Sequence, residues 1–232
     1  MTHPERQAMA KLFAGTPVRI DSEGQFSAIW KHPVSGPVWI GGDGLAGDAQ
    51  ADRRVHGGPE KAVHHYAGEN YAKLAAAFPQ CADALVLGSI GENVSTFGLD
   101  ETTVAIGDIY QLGAAVLQVS QPRKPCWKID ARYGQKGITA HIADTGHTGW
   151  YYRVLEEGEA AAGDTLRHLE RPAGAITLAT LWIEWHRHRP DPRGERPPAA
   201  GSVAGRGPHR ALRARLLLGR RAAVLADPRR AG

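Results

Sequence analysis

Residues 103–128, TVAIGDIYQLGAAVLQVSQPRKPCWK, decide the fold class of this chain. The segments Thr103–Tyr110 and Ala115–Ser120 are rich in β-branched and aromatic residues and partly alternate between apolar and polar side chains. The same pattern recurs at Val38–Ile40 and at Trp150–Leu155. Because alternation with a period of two is typical of strands, the sequence predicts a mainly β protein.

Tight turns separate the predicted strands. A Gly-Asp pair recurs at three of them, at Gly47-Asp48, Gly107-Asp108 and Gly163-Asp164. Glycine adopts backbone angles that other residues avoid, and aspartate accepts hydrogen bonds from its own loop. Regular strands joined in this way are typical of a barrel or a sandwich.

Three segments have the pattern of helices: Glu69–Phe78, Gly137–Asp144 and Ile176–Trp185. The first of them has apolar residues at i, i+3, i+4 and i+7, which places them on one helical face. Pro79 follows directly and ends this helix, since proline cannot continue the helical hydrogen bonds. We therefore expect a few helices beside the strands.

The positive charge of the chain belongs to its C-terminal part. Residues 186–232 contain 12 arginines, no lysine and three acidic residues, a net charge of +9, which leaves −5 for residues 1–185. We therefore do not expect a nucleic-acid surface on the body of the protein; the arginine-rich part is the alternative place for one. Beyond about residue 190 the Arg, Ala, Pro and Gly composition predicts disorder, or a reading frame shifted near Asp191.

Membrane and secretory classes are not expected. No window approaches the run of about 20 apolar residues that spans a bilayer, and the first residues lack the apolar segment of a signal peptide. The two cysteines, Cys81 and Cys126, lie in different contexts and do not indicate a disulfide. We therefore expect a cytoplasmic protein.

The first candidate site is the segment DRRVHGGPEK at 52–61. Five of its residues can contact an anion: Arg54, His56, Gly57, Gly58 and Lys61. Consecutive glycines expose backbone amides, and the three side chains add positive donors, so the segment suits a phosphate or another oxyanion. The alternative is a polar turn with solvated charges.

The second candidate site is QPRKPCWK at 121–128. Prolines on both sides restrict the loop around Cys126, and Arg123, Lys124 and Lys128 favour the thiolate over the thiol. A thiolate suits a soft or high-valent metal, or nucleophilic attack. The alternative is a buried structural cysteine, which is the role that we assign to Cys81.

Three further polar residues are weaker candidates. Asn93, in the segment GENVS at 91–95, could bond a ligand or cap a turn. His64 and His65 are adjacent in a predicted strand and would face opposite ways, and we assign structural roles to both. The sequence has no zinc-binding spacing of histidine and cysteine. A cysteine hydrolase is not favoured, because no His–carboxylate partner can be assigned.

Five segments together resemble the MOSC-domain family, which is named after the C-terminal domain of molybdenum cofactor sulfurase. The likeness is greatest to the bacterial stand-alone branch linked to resistance to 6-N-hydroxylaminopurine, and it runs in order from about Leu12 to Arg171. The segments are GLAGDAQADRRVHGGPEKAVHHY (44–66), IGENVSTFGL (90–99), GDIYQLG (107–113), VSQPRKPCWKI (119–129) and TGHTGWYYRVLEEG (145–158).

The resemblance implies a closed, mainly β MOSC-type barrel with a few helices over residues 1–171. Residues 172–232 would form a helical appendage, incomplete or disordered beyond about 190. The family binds a molybdenum cofactor, a molybdopterin whose dithiolene ligates the metal together with one cysteine, which falls on Cys126. The implied cofactor contacts are Arg54, His56, Gly57, Gly58, Lys61, Asn93 and Arg123.

The resemblance also implies an oxidoreductase that reduces N-hydroxylated bases and amines such as 6-N-hydroxylaminopurine, with Cys126 as its catalytic residue. The sequence has no Gly-x-Gly-x-x-Gly fingerprint and too few cysteines for an iron–sulfur cluster. A separate flavoprotein or ferredoxin-like reductase is therefore the expected electron donor. Pyridoxal phosphate is not expected as a cofactor. The alternative is a carrier that binds the molybdenum cofactor without turnover.

Overall fold

The computed structural model describes residues 7–20, 25–51 and 57–188. Within these ranges the helices are α1 Glu69–Ala77, α2 Lys128–Tyr133, α3 Ile138–Thr145 and α4 Leu178–Arg187, with 3-10 turns at Pro59–Lys61 and Pro79–Ala84. The strands are β1 Gln7–Met9, β2 Lys11–Ala14, β3 Val18–Arg19, β4 Phe26–Ser27, β5 His32–Pro33, β6 Pro37–Gly41, β7 Gly44–Leu45, β8 Val63–Ala67, β9 Val94–Thr96, β10 Ile109–Leu112, β11 Ala115–Pro122, β12 Trp150–Glu156, β13 Gly158–Ala161 and β14 Thr165–Glu170. The predicted mainly β protein with a few helices is confirmed.

The main sheet has nine strands in the order β1-β14-β10-β11-β12-β8-β9-β2-β5. Among the described strands, β8 and β9 form its parallel pair and the other pairings are antiparallel. A smaller sheet has the order β13-β6-β7, and β3 pairs with β4.

The pairing of the main sheet is linear, so the closed barrel stays a prediction. The segment 7–14 nevertheless contacts distant parts of the sheet, since β1 pairs with β14 and β2 pairs with β9. Only Ala10 separates these two strands, and its amide donates to the Asp164 carbonyl at 2.9 Å. One short stretch of chain therefore links strands that lie far apart in the strand order.

The predicted strand Thr103–Tyr110 is wrong over most of its length, because β10 begins only at Ile109. Residues before it form turns that two carboxylates hold. Asp108 Oδ2 accepts the Ala105 amide at 2.9 Å, and Asp100 Oδ1 accepts the Thr103 amide at 3.1 Å. The β-branched residues Thr103, Val104 and Ile106 lie in these partly buried turns and not in a strand. Their strand-like composition therefore led to a wrong prediction.

Two apolar cores lie beside the sheet. The larger one contains the inward residues of the main strands, including Leu117, Trp150 and Tyr152. The second core packs α1, α2 and α3 together, through residues such as Tyr71, Leu74, Ile129, Ile138 and Ile142. Helix α2 was not predicted, and it begins two residues after Cys126.

Helix α4 packs on the described body through its first turn. Leu178 is buried in the larger core and its amide donates to the Val104 carbonyl at 2.9 Å. Chain contacts define one compact unit that ends at Trp185, followed by a second unit, 186–232, of which residues 186–188 are described. The predicted boundary at 171/172 stays a prediction, and the disorder or shifted frame predicted beyond about 190 lies outside the described residues.

No helix in the described part of the chain has the length and apolar character needed to cross a membrane.

Candidate active site

An open cleft lies beside the end of β11. Most of its polar lining comes from residues far apart in the sequence, namely Ser27, Lys31, Gln50, His64, Arg123, Cys126, Lys128 and Tyr151. Cys126 and Arg123 were predicted as site residues, and the structure brings them together. Lysine and arginine side chains dominate the charge of this wall, so the cleft suits an anionic ligand.

Cys126 is held in the cleft wall by the two helices that follow it. Its carbonyl accepts the Ile129 amide at 3.0 Å and the Thr139 hydroxyl at 3.1 Å. Asp130 accepts the Gly137 amide at 3.0 Å and the Thr139 amide at 2.7 Å, which ties α2 to the start of α3. The thiol is partly exposed, so the loop presents a fixed sulfur to the cleft.

Arg123 is a buried cation, with only 5% of the residue exposed. Its backbone amide donates to the Gly149 carbonyl at 3.0 Å, and Nη2 lies 3.5 Å from the Ile90 carbonyl. Nη1 is buried without a hydrogen-bond partner. Among the described residues, none of the ion pairs supplies this guanidinium with a carboxylate. A buried charge is costly unless it is paired, so Arg123 provides a place for an anion.

Lys31, which lines the cleft, forms a buried ion pair with Asp48. The two side chains are 6% and 3% exposed, and Lys31 Nζ lies 2.5 Å from both carboxylate oxygens. Burial lowers the pKa of Lys31 below its ordinary 10.5, while the Asp48 charge opposes that shift. Lys31 was not predicted as a site residue, and Asp48 was predicted only as a turn residue. No motif contains Lys31, and only the fold brings it to Asp48.

Asn93 holds this ion pair in place. Its Nδ2 donates to Asp48 Oδ2 at 2.9 Å and to the Phe13 carbonyl at 3.3 Å, and its Oδ1 accepts the His64 amide at 3.1 Å. The amide group is therefore used within the protein. A direct contact between Asn93 and a cofactor stays a prediction.

His64 and His65 have different environments. Both ring nitrogens of His65 are bonded, to the Tyr152 hydroxyl at 3.0 Å and to Thr96 Oγ1 at 2.9 Å. Burial lowers the pKa of His65 to about 3. These contacts agree with the structural role predicted for His65, whereas His64 lines the cleft.

The His64 ring is a neutral group in the cleft wall. Its Nδ1 lies 3.2 Å from the Gly91 carbonyl, and its Nε2 is buried without a hydrogen-bond partner. Burial, and next the positive charge of Arg123, hold the pKa of His64 well below its ordinary 6.5. With Nδ1 donating to Gly91, Nε2 is an acceptor. The two adjacent histidines of β8 therefore differ: the ring of His65 is packed inside the protein, and the ring of His64 lines the cleft.

The predicted anion-binding segment is only partly described. Gly57, Gly58 and Lys61 lie at the turn before β8 and are not among the lining residues of the cleft. Gly58 has φ +91, and its carbonyl accepts the Lys61 amide at 2.8 Å. Arg54 and His56 lie outside the described residues. The roles predicted for these five residues stay predictions.

A metal centre built from protein ligands alone is not seen in the described ranges, where no three His, Cys, Asp or Glu side chains group as ligands. A metal bound through Cys126 would need further ligands from a bound organic group. A cysteine sulfur beside cationic side chains suits such an anionic, metal-bearing group.

This chain is similar to known proteins over most of its length. Protein YiiM of Escherichia coli (strain K12) is 40% identical over 164 residues, which cover 71% of this chain and 73% of that protein. The crystal structure of YiiM from E. coli superposes with a TM-score of 0.64, at 31% identity over 78% of each chain. YiiM from Geobacillus stearothermophilus gives the same TM-score of 0.64, over 79% of this chain and 85% of that one.

A further relative is a Gibberella moniliformis protein named "Reductase". It is 42% identical over 147 residues, which cover 63% of this chain but only 26% of that longer protein. The family model of the MOSC domain matches residues 52–167. The chain therefore belongs to the MOSC-domain family.

Proposed function

We propose that this protein binds a molybdenum–pterin cofactor in the cleft and reduces N-hydroxylated bases or amines in the cytoplasm. Cys126 is the proposed protein ligand of the metal. The observation that carries the proposal is the juxtaposition of a fixed, partly exposed thiol with the buried guanidinium of Arg123, which lacks a carboxylate partner among the described residues.

The residues present fit the proposed cofactor. Molybdopterin carries a phosphate and a dithiolene and is therefore anionic. The unpartnered Nη1 of Arg123 offers one charged donor, and Lys128 adds a second cation to the same wall. A charge-assisted hydrogen bond of this kind contributes roughly 1.5–3 kcal/mol.

The residues of the chain bind and orient, while the bound cofactor supplies two-electron redox chemistry at its metal. Reduction of R–NH–OH to R–NH2 and water consumes two electrons and two protons. Cys126 would hold the metal, and its loop is tied to α2 and α3. Arg123 and the neutral His64 together offer a donor and an acceptor to groups in the cleft.

The electrons are proposed to come from a separate reductase, a flavoprotein or a ferredoxin-like protein. The sequence provides no dinucleotide fingerprint and only two cysteines. The relative named "Reductase" is 42% identical to this chain over 147 residues, and its name is in keeping with a redox role.

The experiment measures metal, pterin and turnover on one preparation. Protein purified from cells that make the cofactor is analysed for molybdenum and for pterin fluorescence after oxidation. It is then assayed with 6-N-hydroxylaminopurine and reduced methyl viologen. Stoichiometric molybdenum with turnover supports the proposal. Molybdenum without turnover favours the carrier alternative, and protein without molybdenum or pterin contradicts both.

A further inference from the structure

The cleft contains an ammonium group that metal binding does not require. Lys31 Nζ lies 2.5 Å from both oxygens of Asp48, and its side chain is 6% exposed. Taking two charges out of water costs several kcal/mol per ion before their attraction is counted. Buried, perturbed ionisable groups in a cleft are candidates for a chemical role.

Asp48 is fixed independently of Lys31. Its Oδ1 also accepts the Gly15 amide at 2.9 Å, and its Oδ2 also accepts Asn93 Nδ2 at 2.9 Å. The Asn93 amide is in turn held by the Phe13 carbonyl at 3.3 Å. The carboxylate therefore keeps its position when the ammonium loses or gains a proton, and it holds the amine at the cleft.

Three charged groups and burial act on the charge of Lys31. Asp48 and the buried carboxylate of Glu92 favour the ammonium, whereas burial and the charge of Arg123 disfavour it. His64 faces the same cleft as a neutral ring. Burial has the largest effect, so the pKa of Lys31 is lowered. An acid whose pKa lies closer to the working pH transfers its proton more readily.

The other ionisable residues of the cleft have other roles or other surroundings. An arginine does not deprotonate in proteins, which excludes Arg123. His64 is neutral at pH 7 because its pKa is well lowered, and burial raises the pKa of Tyr151. Cys126 is the proposed metal ligand. Lys128 Nζ donates to the Phe26 carbonyl at 2.7 Å, in an exposed contact.

We propose that Lys31 protonates the leaving hydroxyl of an N-hydroxylated substrate, so that the hydroxyl departs as water. Asp48 and Asn93 are the positioning residues of Lys31. This inference rests on the proposed function. The N–O bond breaks as the partner reductase supplies two electrons. The oxygen takes one proton from Lys31, the nitrogen takes the second from solvent, and the Lys31 amine regains a proton from water in the open cleft.

The test compares two substrates on Lys31→Arg, which keeps the positive charge but cannot donate a proton at neutral pH. The first substrate is the N-hydroxy compound, and the second is its O-acetyl ester. Reduction of the ester needs no proton on the leaving group, because acetate departs as an anion. Lys11→Arg, at an exposed position of β2, is the matched control.

Loss of a general acid is expected to lower kcat/KM for the N-hydroxy compound by about 10²–10⁴-fold. The ester should lose less than about tenfold, with molybdenum content and the thermal midpoint unchanged. An equal loss on both substrates, or no loss on the N-hydroxy compound, overturns the inference. Wild-type protein that contains no molybdenum, or that reduces neither substrate, overturns the proposed function and this inference with it.

A second readout does not depend on turnover. The ¹⁵Nζ resonance of Lys31 is assigned by its disappearance in Lys31→Arg and is followed against pH in the unloaded protein. The inference requires a midpoint below 10.5, the ordinary value for lysine. A midpoint at or above that value overturns it, whatever the activity shows.

Discussion

The backbone amide of Arg123 donates to the carbonyl of Gly149 at 3.0 Å. Gly149 therefore anchors the buried cation of the cleft, and its own amide donates to Glu101 Oε1 at 2.7 Å. Its φ is +68, and a Cβ there would lie 2.3 Å from the His65 carbonyl oxygen. The cation is thus positioned by a residue that can only be glycine.

The first prediction is that Gly149→Ala lowers both the free energy of unfolding and cofactor retention. Positive φ costs about 1–3 kcal/mol for a residue with a Cβ, and the clash with His65 adds to that cost. Gly163→Ala is the control, since Gly163 has φ +98 but open space around its Cβ position. Urea unfolding and molybdenum content should show a larger loss in Gly149→Ala. Equal losses in both variants would mean that the clash is relieved without moving Arg123.

The second prediction concerns the two cysteines. Cys126→Ser should fold with an unchanged thermal midpoint yet lose molybdenum and reductase activity, because a serine oxygen is not an equivalent soft ligand. Cys81→Ser, in the helical core, is the control and should retain both. Metal analysis and viologen-linked turnover are the measurements. Full molybdenum content in Cys126→Ser would disprove the ligand assignment.

The third prediction is that Arg123→Met stabilises the unloaded protein and weakens its hold on the cofactor. Taking an ion out of water costs roughly several kcal/mol, and an apolar side chain in place of an unpaired buried cation removes that cost. The control, Arg153→Met, removes a partly exposed ion pair in which Arg153 Nη2 lies 2.6 Å from Glu60. It should cost about 0–1 kcal/mol and leave cofactor binding intact.

Urea unfolding of the unloaded proteins measures the first effect, and the rate of molybdenum loss during dialysis measures the second. An Arg123→Met protein that is less stable than wild type, or that holds the cofactor as tightly, would contradict the idea of an anion site at this residue.

The fourth prediction is a loss of stability as the pH falls below about 6.5. The pKa of His65 is lowered to about 3 by burial, so the unfolded chain binds more protons between these values. One such histidine removes about 1.4 kcal/mol of stability per pH unit, or about 2 kcal/mol between pH 6.5 and 5. The pKa of His64 is lowered as well.

Urea unfolding at pH 7 and at pH 5 measures this difference. His65→Gln should reduce the pH dependence, although it also lowers stability at pH 7 by removing two hydrogen bonds. His32→Gln, at an exposed position of β5, should leave the pH dependence unchanged. The same pH dependence in His65→Gln and wild type would assign it to other groups.

The sequence predicted the main features of the fold because they are local. The alternation of apolar and polar residues in β11 and β12, and the apolar face of α1, can each be recognised in a window of about ten residues. Cys126 could also be found, since prolines and cations surround it in sequence. The Lys31–Asp48 pair could not be predicted, because its partners are distant in the sequence. Gly15 and Asn93, which hydrogen-bond to Asp48, are also far from it along the chain. The position of His64 in the cleft lining could not be predicted either, since its sequence is that of an ordinary strand residue.

The fifth prediction is that the loaded protein does not turn over with NADH or NADPH alone. Neither nucleotide has a recognisable binding motif in the sequence, and each turnover consumes two electrons. Reduced viologen should support sustained reduction of 6-N-hydroxylaminopurine by the same preparation. Sustained turnover with NADH as the sole reductant, in a flavin-free sample, would show that no separate donor is needed.

The split pairing of residues 7–14 has a consequence for synthesis on the ribosome. β2 can pair once Val94 and Ser95 have emerged, but β1 must wait for Thr165–Arg167. Thr165 is made about 70 residues after Ser95, a delay of about 4–14 s at 5–20 residues per second, during which the unpaired edge of β1 is open to other chains. A nascent chain that stalls before Thr165 therefore exposes an edge strand that only the complete domain can cover.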